Sequence, residues 1–211
     1  MRITKYEHAT VTLEKDGESL IIDPGSFLAS LTEVPRTAAI VLTHQHEDHW
    51  SPRTLDQILS TNPGIPIFGP AGVAAAAADY DVTVVAPGDT VQAGPFVLRF
   101  FGGVHAEIHR SIPLIDNVGV LVDDAFYYPG DSYAAPGVPV KLLAAPLGAP
   151  WLKISDAIDF VLEVAPSQAF GTHDMTLSTI GRTMHRGRLA WATEQGGGTF
   201  HELEPGDTIT L

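Results

Sequence analysis

Thr43-His44-Gln45-His46-Glu47-Asp48-His49-Trp50 is the stretch on which the reading of this chain turns. Three histidines and one aspartate fall within the six residues from His44 to His49. Just before them, Ala38-Ala39-Ile40-Val41-Leu42 is a short apolar run of the kind that a fully buried strand shows. Just after them, Ser51-Pro52 is a helix start, with Ser as N-cap and Pro at the first helical position. The cluster therefore sits on a turn from strand to helix, where the backbone is free to splay and a rigid scaffold fixes it from both sides. Neutral imidazole and carboxylate are the ligands that divalent transition metals take up. An ordinary solvated loop rarely holds four such groups in six residues, so the turn reads as part of a metal site.

The bulk properties bound the rest. A chain of 211 residues, 45% hydrophobic and 18% charged, can bury a sizeable core and is not disordered. No Pro/Gly/Ser linker or charge block divides it, so residues 1–211 read as a single domain. The formal charge of −13, with no Lys/Arg cluster, argues against capture of nucleic acid or of anionic membranes and leaves a small molecule as the expected partner. With no cysteine, disulfides, thiolate metal sites and cysteine nucleophiles are excluded. Met1-Arg2-Ile3-Thr4-Lys5-Tyr6 begins like a strand and lacks a signal-peptide core, and no apolar run approaches membrane-spanning length. The expected compartment is cytoplasmic.

Outward from the histidine turn, the chain alternates short apolar runs with turn signals. Strands are expected over 3–6, 10–14 and 19–22, the last ending in Asp23-Pro24-Gly25. There Asp23 either initiates the turn or holds a neighbouring loop through its backbone N–H groups. Helices are expected over 52–59, 71–78, 154–164 and 176–195, with Ser155 as a cap and Ala157, Ile158, Val161 and Leu162 on one face of the third. Three more ligand-type residues follow strands: His105 after Gly102-Gly103-Val104, Asp131 after Pro129-Gly130, and His173 after Gly171-Thr172. If those strands run one way, His44, His46, Asp48, His49, His105, Asp131 and His173 converge on one edge. Seven such groups suit two metals that share a carboxylate, and Asp131 is the natural bridge because it has two oxygens.

With this ordered set in view, the chain resembles the metallo-β-lactamase superfamily. His44-x-His46-x-Asp48-His49 is similar to its HxHxDH motif, Leu20-Ile21-Ile22-Asp23-Pro24-Gly25 to its Asp turn, and His105, Pro129-Gly130-Asp131 and His173 fall in its order. Compact length and a third histidine directly after a strand resemble most the ascorbate-phosphate-lactonase-like metal-dependent hydrolases. The resemblance implies an α+β fold, a four-layer αββα sandwich with the metals at one sheet edge. It further implies that His44, His46 and His105 hold one metal, that Asp48, His49 and His173 hold the other, that Asp131 bridges, and that Asp23 orients the turn. His105 and His109 compete for the third histidine position. His105 lies nearer the strand end and is favoured; His109 is then a pocket residue that binds substrate or protonates a leaving group, or a surface histidine. His185, mid-helix, and His201, in a closing strand, read as surface histidines; His8, beside Thr10 near the start of a strand, could face the site but is not taken as one of its residues. Trp50 reads as buried packing, and Trp151 and more weakly Tyr133 as pocket-lining residues.

The expected activity is that of a hydrolase that uses a hydroxide generated at two divalent metals, zinc first, with manganese or iron as alternatives. Its substrate would be a small ester, lactone or phosphoester, with Asp48 orienting the nucleophile. Competing expectations are phosphodiester or RNA cleavage, redox chemistry at two irons, and a metal-binding module without turnover. The charge weakens the first. The want of a flavin-binding domain in so short a chain weakens the second, and the complete ligand set the third.

Overall fold

The computed structural model describes residues 1–31 and 36–211. Two seven-stranded sheets face each other. The first comprises β1 (Arg2–Lys5), β2 (Val11–Lys15), β3 (Glu18–Ile22), β4 (Thr37–Val41), β5 (Ile67–Gly69), β6 (Val82–Val84) and the final strand β14 (Thr208–Thr210), in the order β14-β1-β2-β3-β4-β5-β6. The second comprises β7 (Thr90–Ala93), β8 (Phe96–Val104), β9 (Asp116–Val122), β10 (Phe126–Tyr128), β11 (Leu142–Pro146), β12 (Gln168–Thr172) and β13 (Thr199–His201), in the order β13-β12-β11-β10-β9-β8-β7.

The apolar runs are continuous because both faces of the central strands are covered. Leu20, Ile22, Ala39 and Val41 of the first sheet meet Val120, Val122, Phe126, Tyr128, Leu142 and Ala144 of the second in one core. Their neighbours in sequence turn the other way. Ile21, Ile40 and Leu42 pack with Leu55 and Ile58 of α1 (Pro52–Thr61) and Val73 of α2 (Ala71–Ala76). Leu121, Tyr127, Leu143 and Ala145 pack with Phe160 and Val161 of α3 (Ile154–Val164) and Leu189 of α4 (Thr179–Gln195). Burying each large aliphatic or aromatic side chain of this kind contributes about 1.5–3 kcal/mol. The outcome is the expected α+β, four-layer αββα sandwich.

Strand direction places the site. β1 and β2 are antiparallel, as are β2 and β3, and β3 is parallel to β4, so β1, β3 and β4 run one way. β8 and β10 are each antiparallel to β9, and β10, β11 and β12 are parallel, so β8, β10 and β12 also run one way. The C-terminal ends of these six strands lead directly into the segments that carry His8, Asp23, His44, His105, Asp131 and His173. The two edges are tied together where Val118 N–H donates to Thr43 O at 2.9 Å.

Three local expectations need correction. Lys153, not Ser155, holds the N-cap position of α3, and the Ser155 hydroxyl donates to Asp156 Oδ1 inside the first turn. Leu162 is exposed, because the helical period turns Ala157, Phe160 and Val161 inward instead. α4 starts at Thr179, since Ser178 caps it by accepting Gly181 N–H at 3.1 Å, which leaves residues 176–178 outside the helix.

Candidate metal centre

The histidine turn is built on Asp23. Its Oδ1 accepts Thr43 N–H at 2.8 Å and its Oδ2 accepts the Thr43 hydroxyl at 2.7 Å and His49 Nδ1–H at 2.6 Å. Gly25 makes room for this turn, since a Cβ there would lie 1.8 Å from Asp48 O. Ser51 closes the turn on the helix side by accepting Thr54 N–H at 3.3 Å.

Four imidazoles have one nitrogen fixed by the scaffold and direct the other at a common centre. The Thr43 hydroxyl gives its only hydrogen to Asp23, so toward His44 Nδ1, 3.0 Å away, it is the acceptor. His105 Nδ1–H donates to Ala106 O at 2.5 Å, and His173 Nδ1–H donates to Gly148 O at 2.7 Å. With His49 Nδ1–H on Asp23, Nε2 is the inward atom of all four rings. Such partners on the far nitrogen are what orients a metal-ligating imidazole. His46 completes the group differently, with its Nδ1 3.0 Å from His44 Nε2.

Asp131 lies at the centre. Its Oδ1 is 3.1 Å from His49 Nε2, and its Oδ2 is 3.2 Å from His173 Nε2, 3.4 Å from His105 Nε2 and 3.9 Å from His44 Nε2. Asn117 positions the turn that delivers it, accepting Asp131 N–H at 3.0 Å and donating to Pro129 O at 2.9 Å. Gly130, at φ +63°, is required there because a Cβ would come within 2.4 Å of Asn117 Oδ1. The Trp151 indole N–H donates to Asp131 Oδ2 at 2.8 Å.

The cluster passes a direct test of fit for cations. His49 Nε2, His105 Nε2, His173 Nε2 and Asp131 Oδ1 are buried polar atoms with no aligned hydrogen-bond partner. Leaving such groups unsatisfied costs about 1–3 kcal/mol each, which a cation at their common focus removes. Ligand atoms of His44, His46, His105 and Asp131 lie within 4.8 Å of one another, and so do those of His49, Asp131 and His173. Asp131 belongs to both groups, and Asp48 Oδ2 adjoins the second at 3.3 Å from His173 Nε2.

Asp48 has a partner that the sequence did not signal. Met175 N–H donates to His8 Nδ1 at 3.2 Å, so His8 must present its hydrogen on Nε2, 3.1 Å from Asp48 Oδ2. His8 is fully buried, lies tilted against His173 at 3.9 Å between ring centres, and lies against Phe27 at 4.8 Å. His8, Asp23 and His173 have φ of 58°, 48° and 55°, a left-handed conformation that non-glycine residues rarely adopt and that clusters at functional sites.

Residues 2–173 match the family model for the β-lactamase superfamily domain. The chain belongs to the metallo-β-lactamase superfamily. It is 34% identical over 216 aligned residues to Protein Rv0786c of Mycobacterium tuberculosis, spanning 100% of both chains. Among solved structures of this superfamily's fold it is similar to Igni18, a metallo hydrolase of the hyperthermophilic archaeon Ignicoccus hospitalis, with a TM-score of 0.76 at 18% identity over 100% of this chain and 97% of that one. It is also similar to CmlA, a diiron β-hydroxylase of Streptomyces venezuelae, with a TM-score of 0.76 at 16% identity over 100% of this chain and 54% of that one. The superfamily's fold implies divalent metal ions.

The charge balance of this superfamily member is internally consistent. Burial and the neighbouring His49 hold His44 well below the ordinary imidazole value, so it is neutral. Burial also opposes charge on His49, but Asp131 and Asp23 outweigh it and raise that ring well above the ordinary value. His173 is raised in the same contest, chiefly by Asp131, to about 9. Burial works against the charge of Asp131 too, yet His173, His49 and His44 hold it well below the usual carboxylate range. Protons on His49 and His173 thus balance buried carboxylates, and divalent cations suit the same place by exchange.

The structure brings together His44, His46, Asp48, His49, His105, Asp131 and His173, with Asp23 beneath them. It does not bring His109. That ring is exposed and its Nδ1 pairs with Ser111 Oγ at 2.7 Å, beyond the point where β8 fixes the chain. Trp50 is buried, with its indole on Gln45 O at 3.1 Å, and Tyr133 lies against Trp151 at 5.2 Å. His185 is half-buried, with Nδ1–H on Leu147 O, and His201 pairs with Gln168. Among the described residues no helix is long and apolar enough to cross a membrane.

Proposed function

We propose that this chain is a metal-dependent hydrolase with a dinuclear site that acts on a small ester, lactone or phosphoester. The observation that carries the reading is the convergence of inward Nε2 atoms on Asp131, with partnerless buried atoms at the focus. His44, His46 and His105 would hold one cation and His49, His173 and Asp48 the other, with Asp131 between them. Zinc suits this nitrogen-and-carboxylate set, and manganese or iron is the alternative. When bound, two such cations supply an acidified water as nucleophile and a Lewis acid for the scissile oxygen.

The chain's own groups do the rest. Asp48 is the carboxylate of the cage that reaches solvent, its side chain 25% exposed against 4% for Asp131. Although burial opposes its charge, His173 and His8 keep it ionised far below the usual carboxylate range. It therefore orients the attacking water by accepting its hydrogen bond and does not retain the proton. Asp23 and Thr43 keep His49 and His44 in the tautomer that leaves Nε2 for the cation. Trp151 holds Asp131 Oδ2 through its indole N–H and packs edge-on against His105, their ring centres 5.9 Å apart.

Metal analysis of protein purified without added metal, followed by a screen of esters, lactones and phosphoesters on metal-loaded protein, tests the reading. Two equivalents of divalent metal, turnover of one of these classes, and loss of metal and turnover together in His46→Ala are the expected results. Unchanged metal content in His46→Ala sinks the ligand assignment. Full loading without turnover of any class points instead to a metal-binding module.

A further inference from the structure

We infer that the substrate is an uncharged carboxylic ester or lactone whose apolar chain lies in a cavity opening from the cage. This rests on the hydrolase reading above and selects among its substrate classes. A cavity of about 290 Å³ adjoins the cluster, with His46 and His105 on its inner side and Ile108, Ile112, Leu114 and Ile115 among its other walls. Among the described residues, no Lys, Arg, Asp or Glu lines it. It shares two side chains with the cage, so a molecule with its reacting carbonyl at Asp131 can extend an apolar chain into it.

The cavity is held in register with the cage. His105 N–H donates to Ile115 O at 3.0 Å and closes the base of the loop, while Ala106 N–H donates to Asp131 O at 2.8 Å and ties the loop to the turn that carries the central carboxylate. Ile112 and Leu114 are 45% and 59% exposed, so an apolar chain in the cavity would remove apolar surface of both from water. The volume is at the small end of ligand pockets, which begin at roughly 300 Å³, and suits a short alkyl chain rather than a drug-sized molecule.

The same lining disfavours a phosphoester. Phosphoryl groups are recognised by guanidinium, ammonium or clustered N–H donors, and the cavity presents none of the cationic ones. The two cations would offset Asp48 and Asp131 in the loaded site, so the choice rests on the cavity walls, which offer a phosphate's outer oxygens no cationic partner. A neutral carbonyl needs no such partner.

The test compares two neutral series on zinc-loaded protein, followed by pH-stat: methyl acetate, butyrate and hexanoate, and γ-butyrolactone, γ-hexalactone and γ-octalactone. p-Nitrophenyl phosphate is the charged comparator. Each methylene transferred from water to an apolar wall is worth roughly a factor of three to four. We expect kcat/KM to rise at least tenfold along one of the two series, and the phosphoester to trail the best neutral substrate at least a hundredfold. Leu114→Asp and Ile112→Asp, both at exposed positions, should flatten that rise at unchanged zinc content. Calorimetry gives a readout without turnover: hexanoate should bind the zinc-loaded protein at least tenfold more tightly than acetate, and Leu114→Asp should remove the difference. Flat series, or a phosphoester that outruns the neutral substrates, overturn the inference. If no substrate of any class turns over, the hydrolase reading fails. The hexanoate-to-acetate ratio then still decides the cavity: a ratio near one overturns it.

Discussion

His8 donates from Nε2 to Asp48 Oδ2 at 3.1 Å because its Nδ1 is already taken by Met175 N–H. The backbone of one loop thus selects the tautomer of a ring that steadies a cage carboxylate contributed by another. Replacing this ring while keeping its shape isolates the hydrogen bond. His8→Phe should weaken binding of the second cation by about 10–100-fold, the usual cost of losing a partner behind a ligand. His8→Gln, whose amide can restore an N–H toward Asp48, should recover part of the loss. Titration with a chromophoric chelator measures both; equal affinities in wild type and His8→Phe would show that the contact is only structural.

Asp23 is joined to both halves of the histidine turn, so its replacement should act on fold and cage together. In Asp23→Asn an amide can face His49 Nδ1 as a donor, which drives the ring's proton to Nε2, the atom needed for the cation. We expect one of the two metals to be lost and the folded state to be weakened by about 3–5 kcal/mol, as when a buried charged network loses one partner. Denaturant unfolding of the metal-free forms and metal counting after dialysis separate the two effects.

Metal uptake should release protons. His173, raised to about 9, and His49, raised well above its ordinary value, carry protons at neutral pH in the metal-free protein, and a cation must displace them. Apparent affinity should therefore rise between pH 6.5 and 9, by up to about tenfold per pH unit for each proton displaced. The effect on stability has the opposite slope. A group with a raised folded value stabilises fully below its unfolded value, near 6.5, and loses that contribution as pH climbs through its folded value. The melting temperature of metal-free protein should thus fall from pH 6.5 to 9. Binding isotherms in buffers of different ionisation heat count the protons directly, and no buffer dependence would contradict the assignment.

Chelation should be felt as lost stability. Zinc at about a hundred times its dissociation constant stabilises the folded state by about 2.7 kcal/mol per site. For a chain of this size that is a rise of about 5–10 °C in Tm. A thermal scan with and without a chelator, followed by zinc add-back, checks this.

Much of this was legible from residue types alone, for reasons that differ from place to place. The turn from His44 to His49 announces itself because four ligand-type groups crowd six positions. The central strands are legible because both faces are buried, so that the alternation of a half-buried strand gives way to unbroken apolar runs such as Leu20-Ile21-Ile22. His8 was legible only as a histidine that could face the site, not as the partner of Asp48. It is one histidine at the end of one strand, and its tautomer is set by a backbone N–H 167 residues away. His109 misled for the converse reason: it follows His105 by one helical turn in sequence, but the loop carries it to the surface. Residue types alone left Asp23 balanced between turn former and loop anchor; the family resemblance favoured the anchor, and the structure places its oxygens on Thr43 and His49.

The six strand ends that build the cage come from both sheets and are strung along the chain from His8 to His173. A nascent chain makes the histidine turn early, but Asp131 and His173 emerge only when most of the second sheet has been synthesised. Tight cation retention is then possible only for a molecule whose two sheets have closed on each other. In a chain without a single cysteine, the cage, loaded as proposed, would take the place of a covalent cross-link between the halves, one that reducing agents leave intact and acid undoes.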